Sequence, residues 1–304
     1  MSPKHLKAIA LGVLVLLLLW GASELLSRGS DTTTGSLRLP ALAPGDVDTI
    51  AITHGADTVL LVKRSTGAWT VNGHAASQQA LNDLLQALKD SSKPELAAQS
   101  PSSFARMGVD SASGRVLRLA GGGKSLVRLI VGGRGPDYDA SYVRVPGDVH
   151  VYLWRGQLGS LAARPVDDWR DREIGAVPPD SVTAVEIQRA RKSYTLRRQG
   201  AKWTLRVGAP ADSAAVAQLL ERFRHVSATG FATDRQTDSL RFDRPQRRVA
   251  LRGARGRVLL ALAFDSTAGR FWVRRASGGT VYRLDSWQVD QLTPPLEGLK
   301  PKPR

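Results

Sequence analysis

The chain has 304 residues, of which 42% are hydrophobic and 23% are charged, a composition typical of a globular protein rather than of a disordered or fibrous one. Because it contains no cysteine, disulfides, zinc–thiolate sites, iron–sulfur clusters and cysteine nucleophiles are excluded. The formal net charge of +16 is unevenly distributed: residues 1–174 hold 19 Lys and Arg against 16 Asp and Glu, whereas residues 175–304 hold 24 against 11.

The N-terminus carries an uncharged apolar run, Ala8–Ser23, directly after Lys4 and Lys7. Extended to residues 6–26, the run approaches the ~20 residues that cross a bilayer. We therefore predict a retained transmembrane anchor at 6–26, with a cleaved signal peptide or a buried helix as alternatives. The lysines before the run predict a cytoplasmic N-terminus, so the rest of a single-pass protein of the cytoplasmic (inner) membrane would lie outside the cytoplasm.

The remaining chain is predicted to be of α+β class and to contain two tandem copies of one unit. Residues 27–45 are rich in Ser, Thr, Gly and Pro and predict a flexible tether. The two copies are placed at 46–174 and 175–292, followed by a disordered basic tail at 293–304. The strand and turn patterns of each copy predict three strands, one helix and a four-stranded meander.

The duplication is indicated by two tryptophans and the helices that follow them. Trp69 and Trp203 each begin a Trp-Thr-aliphatic step on a short predicted strand. Ser77 and Asp212 are the predicted N-caps of the next helices. The apolar residues of these helices recur at helical spacing: Leu81, Leu84, Leu85 and Leu88, then Val216, Leu219, Leu220 and Phe223. We expect each indole to cover the apolar stripe of its own copy.

Over residues 46–292 the chain resembles a bacterial family, the domain of unknown function 4340. The resemblance rests on these segments: Gly67–Gly73, Leu84-Leu85, Met107–Asp110, Ser141–Arg144, and Asp168–Arg172 leading into Pro179–Val182. It implies a single-pass membrane protein, often associated with ABC transporters of the gliding-motility type. It implies no catalytic residue, because none is established for the family. The second copy departs from the pattern at Phe242–Pro245.

The motifs that could carry catalysis or bind metal are weak. Gly121–Ser125 resembles the end of a phosphate-binding loop, but the required earlier glycine is replaced by Arg118 and a strand pattern follows, so we predict a hairpin turn. Asp137 and Asp139 lack the remaining ligand spacing of a calcium loop. The histidines after residue 50 are isolated and are interpreted as ordinary surface or cap residues: His54, His74, His150 and His225. No cofactor and no metal site is predicted.

A mixed-charge cluster around one tryptophan is the first candidate site. It spans Asp167–Glu173, and the possible partner-docking residues are Trp169, Arg170, Asp171 and Arg172. Trp and Arg are enriched in interface hot spots, which favours docking. The alternative is a structural ion-pair cluster that clamps the two copies together.

The basic second copy is the other candidate. The possible anionic-partner face consists of Arg191, Lys192, Arg197, Arg198, Arg247, Arg248 and Arg255. Arg outnumbers Lys by 33 to 10, so a compositional bias toward arginine is the alternative explanation. The predicted topology argues against nucleic acid as a partner and leaves anionic envelope components, including lipid headgroups, glycans and acidic proteins.

These features predict a non-enzymatic, membrane-anchored binding or scaffold protein. Its predicted partners are the lipid bilayer at 6–26, and either ABC transporter subunits, as the resemblance implies, or anionic envelope components. Two alternatives stay open: a polyanion-binding module, and an envelope carbohydrate- or lipid-acting enzyme using Asp137, Asp139 or Asp171.

Overall fold

The computed structural model describes residues 45–89, 94–205 and 208–301, together with residues 37, 39, 40, 42 and 43. The chain divides into two compact units. Unit 1 comprises residues 1–72 and 79–165, and unit 2 comprises residues 73–78 and 166–304. Both are built from antiparallel sheets with few helices, which confirms the predicted mixed α+β class.

Unit 1 is formed mainly by eight strands and three helices. The strands are β1 (Thr49–His54), β2 (Asp57–Lys63), β3 (Trp69–Val71), β5 (Glu95–Ala98), β6 (Arg115–Gly121), β7 (Lys124–Arg134), β8 (Ala140–Arg144) and β9 (Val151–Arg155), β4 being the short strand His74–Ala75. The helices are α1 (Gln78–Lys89), α2 (Phe104–Met107) and α3 (Leu158–Ala162).

The strands of unit 1 lie in the order β3-β2-β1-β6-β7-β8-β9-β5. The β6–β7 hairpin turns at Gly122-Gly123, which confirms the turn predicted there instead of a phosphate-binding loop. The predicted helical stripe of α1 is buried, with Leu84 fully inaccessible and Leu81, Leu85 and Leu88 nearly so. Trp69 is 8% exposed and belongs to the buried hydrophobic residues, as predicted.

Unit 2 contains a second large sheet. Its strands are β11 (Ala184–Arg189), β12 (Lys192–Gln199), β13 (Lys202–Leu205), β14 (Ala209–Pro210), β16 (Gly230–Phe231), β17 (Arg247–Arg252), β18 (Val258–Thr267), β19 (Arg270–Arg275) and β20 (Val281–Leu284). A separate two-stranded sheet pairs β10 (Glu173–Gly175) with β15 (Val226–Ser227). The helices are α4 (Ser213–Arg222), α5 (Asp234–Asp238) and α6 (Ser286–Leu292).

The large sheet of unit 2 has the order β14-β13-β12-β11-β17-β18-β19-β20-β16, and its eight strands from β13 to β16 follow the same order as the eight strands of unit 1. Asp212 caps α4 as predicted, its carboxylate accepting from the amides of Ala214 and Ala215. Trp203, 7% exposed, and the fully buried Phe223 belong to one core cluster with the stripe of α4. In both units a short strand pairs at the far edge, β5 on β9 and β16 on β20, and the sequence pattern had predicted neither.

The C-terminal segment differs from its predicted disorder. Residues Leu296–Leu299 form a 3₁₀ turn, and Leu299 is 2% exposed within the core of unit 2. Thr293 is fully buried. Burial of these side chains orders this part of the segment, even though its prolines and charges are typical of a tail.

The predicted anchor at 6–26 and most of the predicted tether at 27–45 lie outside the described residues. Among the helices that the structure does describe, none combines the length and the apolar character needed to cross a bilayer.

A glycine at the end of β6 gives a direct test of the packing in unit 1. A Cβ added to Gly121 would lie 1.6 Å from the carbonyl oxygen of Asp46, so the backbone must move to admit it. We expect Gly121→Ala to lower the free energy of unfolding by about 1–3 kcal/mol, measured by urea denaturation of the full chain. Gly45→Ala is the matched control, because a Cβ there meets nothing within 4 Å. Equal midpoints for the two variants would contradict the described approach of Gly121 to Asp46.

Candidate functional site

The predicted docking cluster is largely buried. Trp169 is fully inaccessible, and Arg170 is 9% exposed. The guanidinium of Arg170 lies 3.6 Å from the ring centroid of Phe231, and its Nη1 lies 3.2 Å from a carboxylate oxygen of Asp167. A side chain without accessible surface cannot contact a partner, so the docking prediction is wrong for Trp169. Arg170 is instead engaged by Phe231 and Asp167.

The two other members of that cluster are exposed but locally engaged. Arg172 donates to Asp168 at 2.6 Å, and Asp171 accepts from the amide of Glu173 at 2.9 Å. Exposed ion pairs of this kind contribute only ~0–1 kcal/mol. The cluster therefore has the character of a structural ion-pair network within unit 2.

The seven predicted basic residues do not form one face. Arg191, Lys192, Arg247 and Arg248 lie where β11 ends and β12 and β17 begin, whereas Arg197, Arg198 and Arg255 lie at the opposite end of these strands or beyond it. A six-residue strand separates the two groups by ~17 Å. Arg197 and Arg198 are also successive strand residues, so they point to opposite faces of the sheet.

Arg247 has a structural role. It is 14% exposed, and its Nη1 lies 2.6 Å from Asp290, a carboxylate that Arg189 also approaches, at 3.1 Å. Its guanidinium stacks on Phe271, 5.0 Å from the ring centroid. The hydrogen bond from Arg247 holds the pKa of Asp290 below its usual range, so Asp290 is ionised at neutral pH and forms ion pairs with both arginines. Arg247 is therefore not part of a free anionic-partner face.

A concave surface lined by unpaired arginines lies on the outward face of the unit 2 sheet. We call it the alanine groove, because Ala250, Ala261 and Ala263 form its floor on β17 and β18. Its volume is about 640 Å³. Polar, charged and aromatic side chains also line it: Glu186, Gln188, Ser193, Thr195, Phe242, Arg248, Arg274 and Arg275.

Strand register explains why these side chains meet. One row across the sheet runs Ser193, Gln188, Arg248, Ala263, Arg274, and the adjacent outward row contains Thr195, Glu186, Ala250 and Ala261. Directly paired residues of antiparallel strands point to the same face, so both rows are presented outward. The intervening row, with Ile187, Val249 and Leu262, is buried in the core.

The groove carries uncompensated positive charge. Glu186, the carboxylate among its lining residues, is bound by Arg252 through two hydrogen bonds of 2.7 and 3.1 Å. Within the part of the chain that the structure describes, Arg248, Arg274 and Arg275 form no ion pair. The groove is thus suited to an anionic group and offers no free carboxylate for acid–base chemistry.

Two adjacent loop residues position two of these arginines. Arg248 donates from Nη2 to the main-chain oxygen of Asp243 at 3.0 Å. The guanidinium of Arg274 lies 4.6 Å from the ring centroid of Phe242. Phe242 itself is buried, in a small cluster with Leu240, Trp272 and Val281. The loop after α5 therefore fixes both guanidinium groups beside the groove.

The corresponding face of unit 1 is filled. There the equivalent row runs Thr53, Val116, Ile130, Arg144, and Val116 and Ile130 pack against the segment around Met107 and Val109. Arg144 stacks on Phe104 at 4.1 Å and donates to the carbonyl of Val109 at 2.9 and 3.1 Å. The adjacent row holds Arg118 opposite Arg128, where unit 2 has Ala250 opposite Ala261.

Among the residues of the groove, Arg248 is predicted from the sequence, whereas Arg274, Arg275 and the alanines are not. A signal was present in the small residues at every second position of β17 and β18, Ala250 on one strand and Ala261 and Ala263 on the next. Recognising it requires the register, since only the pairing of Ala250 with Ala261 and of Arg248 with Ala263 brings these residues to one place.

The remaining candidate carboxylates lie in unit 1, where Asp139 lines a separate concave surface together with Asp83 and Arg155. Asp137 pairs with Arg155, which also contacts Glu95. The described residues contain no group of three His, Asp or Glu side chains arranged to hold a metal ion.

The chain is thus an antiparallel α+β protein with a basic groove on one sheet. The family model described as "Domain of unknown function (DUF4340)" matches residues 69–245, more than half of the chain, and the protein belongs to this family. Neither the search of curated proteins nor that of solved structures found a match.

Proposed function

We propose that this chain is a non-enzymatic binding protein that holds an anionic partner in the alanine groove of unit 2. In this proposal residues 6–26 anchor it in the cytoplasmic membrane and the folded units lie outside the cytoplasm, where they act as accessory or scaffold to an ABC-type transport or surface machinery. The lysine-flanked apolar run supports the anchor, and the family resemblance supports the transporter association.

We further propose that the two units are tandem copies of one ancestral element. The shared strand order, the buried apolar stripes of α1 and α4 and the matched tryptophans support this duplication. In such a pair, one copy can keep its outward sheet face packed while the other opens that face for binding. Unit 1 has Val116 and Ile130 at the positions where unit 2 has Arg248 and Ala263. This difference keeps the face of unit 1 packed and leaves the face of unit 2 open for binding.

The observation that carries the binding proposal is the set of arginines without carboxylate partners around an alanine floor. Arginine is always charged and presents a planar fork of donors that matches oxyanions. Unpaired charge beside a concave, partly apolar floor is typical of ligand sites with a few placed polar groups. The volume of about 640 Å³ lies within the range of such sites.

Binding of dextran sulfate to the full chain in detergent tests this proposal. We expect the double variant Arg248→Gln/Arg274→Gln to weaken the affinity about tenfold, which corresponds to a loss of ~1.4 kcal/mol. The matched control is Arg118→Gln/Arg128→Gln, which removes two exposed arginines from the outward face of unit 1 and lowers the net charge equally.

The two double variants distinguish binding in the groove from non-specific attraction of the polyanion by the net positive charge. If the groove is the site, the control retains nearly the affinity of the unmodified protein at 150 mM salt. Equal weakening in both would mean that the overall charge of +16 attracts the polyanion and that the groove has no special role.

A further inference from the structure

We infer that the occupant of the alanine groove is an extended acidic segment of a polypeptide, with one carboxylate held between Arg248 and Arg274. This inference rests on the proposed function and narrows it to one class of partner. Three observations support it: the spacing of the two arginines, the hydrogen-bond donors they leave unused, and the polar groups along the groove.

The two arginines flank a gap of the right size for one carboxylate. Arg248 pairs with Ala263, and Ala263 pairs with Arg274, so the arginines stand two strands apart on one row. Two strand spacings amount to ~9.6 Å between their main chains. The methyl group of Ala263 leaves the space between the guanidinium groups open, whereas unit 1 fills the equivalent space with Ile130.

The guanidinium of Arg274 is oriented by Phe242, and its hydrogen-bond donors are unused within the described residues. It stacks on Phe242, yet it forms no hydrogen bond with any residue in the described ranges. Its counterpart in unit 1, Arg144, donates hydrogen bonds from its guanidinium to the carbonyl of Val109. Charge-assisted, bidentate hydrogen bonds to a carboxylate are the strongest use of such a fork, and prior orientation by the ring lowers the cost of forming them.

The length and polarity of the groove favour a peptide over a lipid chain. It spans the five strands β12, β11, β17, β18 and β19, which is ~19 Å and accommodates about six extended residues. Gln188, Ser193 and Thr195 line it and can bond to peptide groups, whereas an acyl chain would desolvate them without compensation. The alanine floor allows a main chain to approach the sheet closely.

The experiment measures binding of three probes to the full chain in detergent. The first is a fluorescein-labelled octapeptide alternating glutamate with serine, the second is the same peptide with glutamine for glutamate, and the third is dihexanoyl phosphatidylglycerol. We expect the acidic peptide to bind, the glutamine peptide to bind at least tenfold more weakly, and the lipid to bind no better than the glutamine peptide. Arg248→Gln and Arg274→Gln should each lower the affinity for the acidic peptide at least fivefold, and Arg118→Gln should leave that affinity unchanged.

A second variant fills the space above the alanine floor and keeps the arginines of the groove. Ala261→Leu places a larger side chain on the partly exposed floor, so it should abolish peptide binding while the urea midpoint stays near that of the unmodified protein. Full peptide affinity in this variant would overturn the groove as the peptide site.

The probes distinguish failure of this inference from failure of the proposed function. If the lipid binds through Arg248 and Arg274 and the peptide does not, the groove is an anion site for phosphate esters and the peptide inference is wrong. If dextran sulfate, lipid and peptide are all insensitive to both arginines, the proposed function is wrong as well.

Discussion

Trp203→Ala is expected to lower the free energy of unfolding by about 3–5 kcal/mol, the usual cost of removing a large aromatic side chain from a core. Trp203 is 7% exposed and packs in the cluster that also contains Leu219, Leu220 and Phe223. Trp69→Ala should cost a similar amount, because Trp69 is 8% exposed at the equivalent place in unit 1. Urea denaturation of the full chain, followed by circular dichroism, measures both effects.

The chain supplies a matched control for these variants. Trp287 is 57% exposed on α6, so Trp287→Ala should change the free energy of unfolding by no more than ~0.5 kcal/mol. The comparison separates loss of core packing from loss of a tryptophan as such. Midpoints for Trp69→Ala and Trp203→Ala close to that of Trp287→Ala would refute the matched cores.

Trp169→Ala is the second change with a large expected effect, again about 3–5 kcal/mol. Trp169 is fully inaccessible, and its main-chain oxygen accepts from the amide of Ser77 at 2.8 Å. Truncation would leave a cavity that its neighbours fill only in part. A docking tryptophan would behave in the opposite way, because its loss would lower the affinity for a partner and leave the stability of the chain unchanged.

Arg172→Ala serves as the control within the same cluster. Arg172 is 43% exposed and makes an exposed ion pair with Asp168, so its loss should cost ~0–1 kcal/mol. If Trp169→Ala proves as mild as Arg172→Ala in urea denaturation, the assignment of Trp169 to the core is wrong and the docking hypothesis returns.

Local pattern was sufficient for the elements that depend on neighbouring residues. The helices α1 and α4 follow from the spacing of Leu81, Leu84 and Leu85 and of their counterparts, since a stripe at helical spacing can be buried only if the segment is helical. The cap at Asp212 and the turn at Gly122-Gly123 are equally local. The strands β5 and β16 escaped prediction because each is short and is stabilised only by pairing with a strand distant in the chain.

The same distinction applies to the candidate sites. Composition alone established the absence of thiol chemistry and the excess of arginine in the second part of the chain, because both depend only on which residues are present. Which arginines are structural and which are unpaired was decided by the tertiary structure. Arg247 is neutralised by Asp290, a residue of a helix that follows β20, whereas Arg248, its neighbour in sequence, points to the other face of the sheet and into the groove. The alternation of a strand sends adjacent residues to opposite faces, and only long-range register determines what each of them meets there.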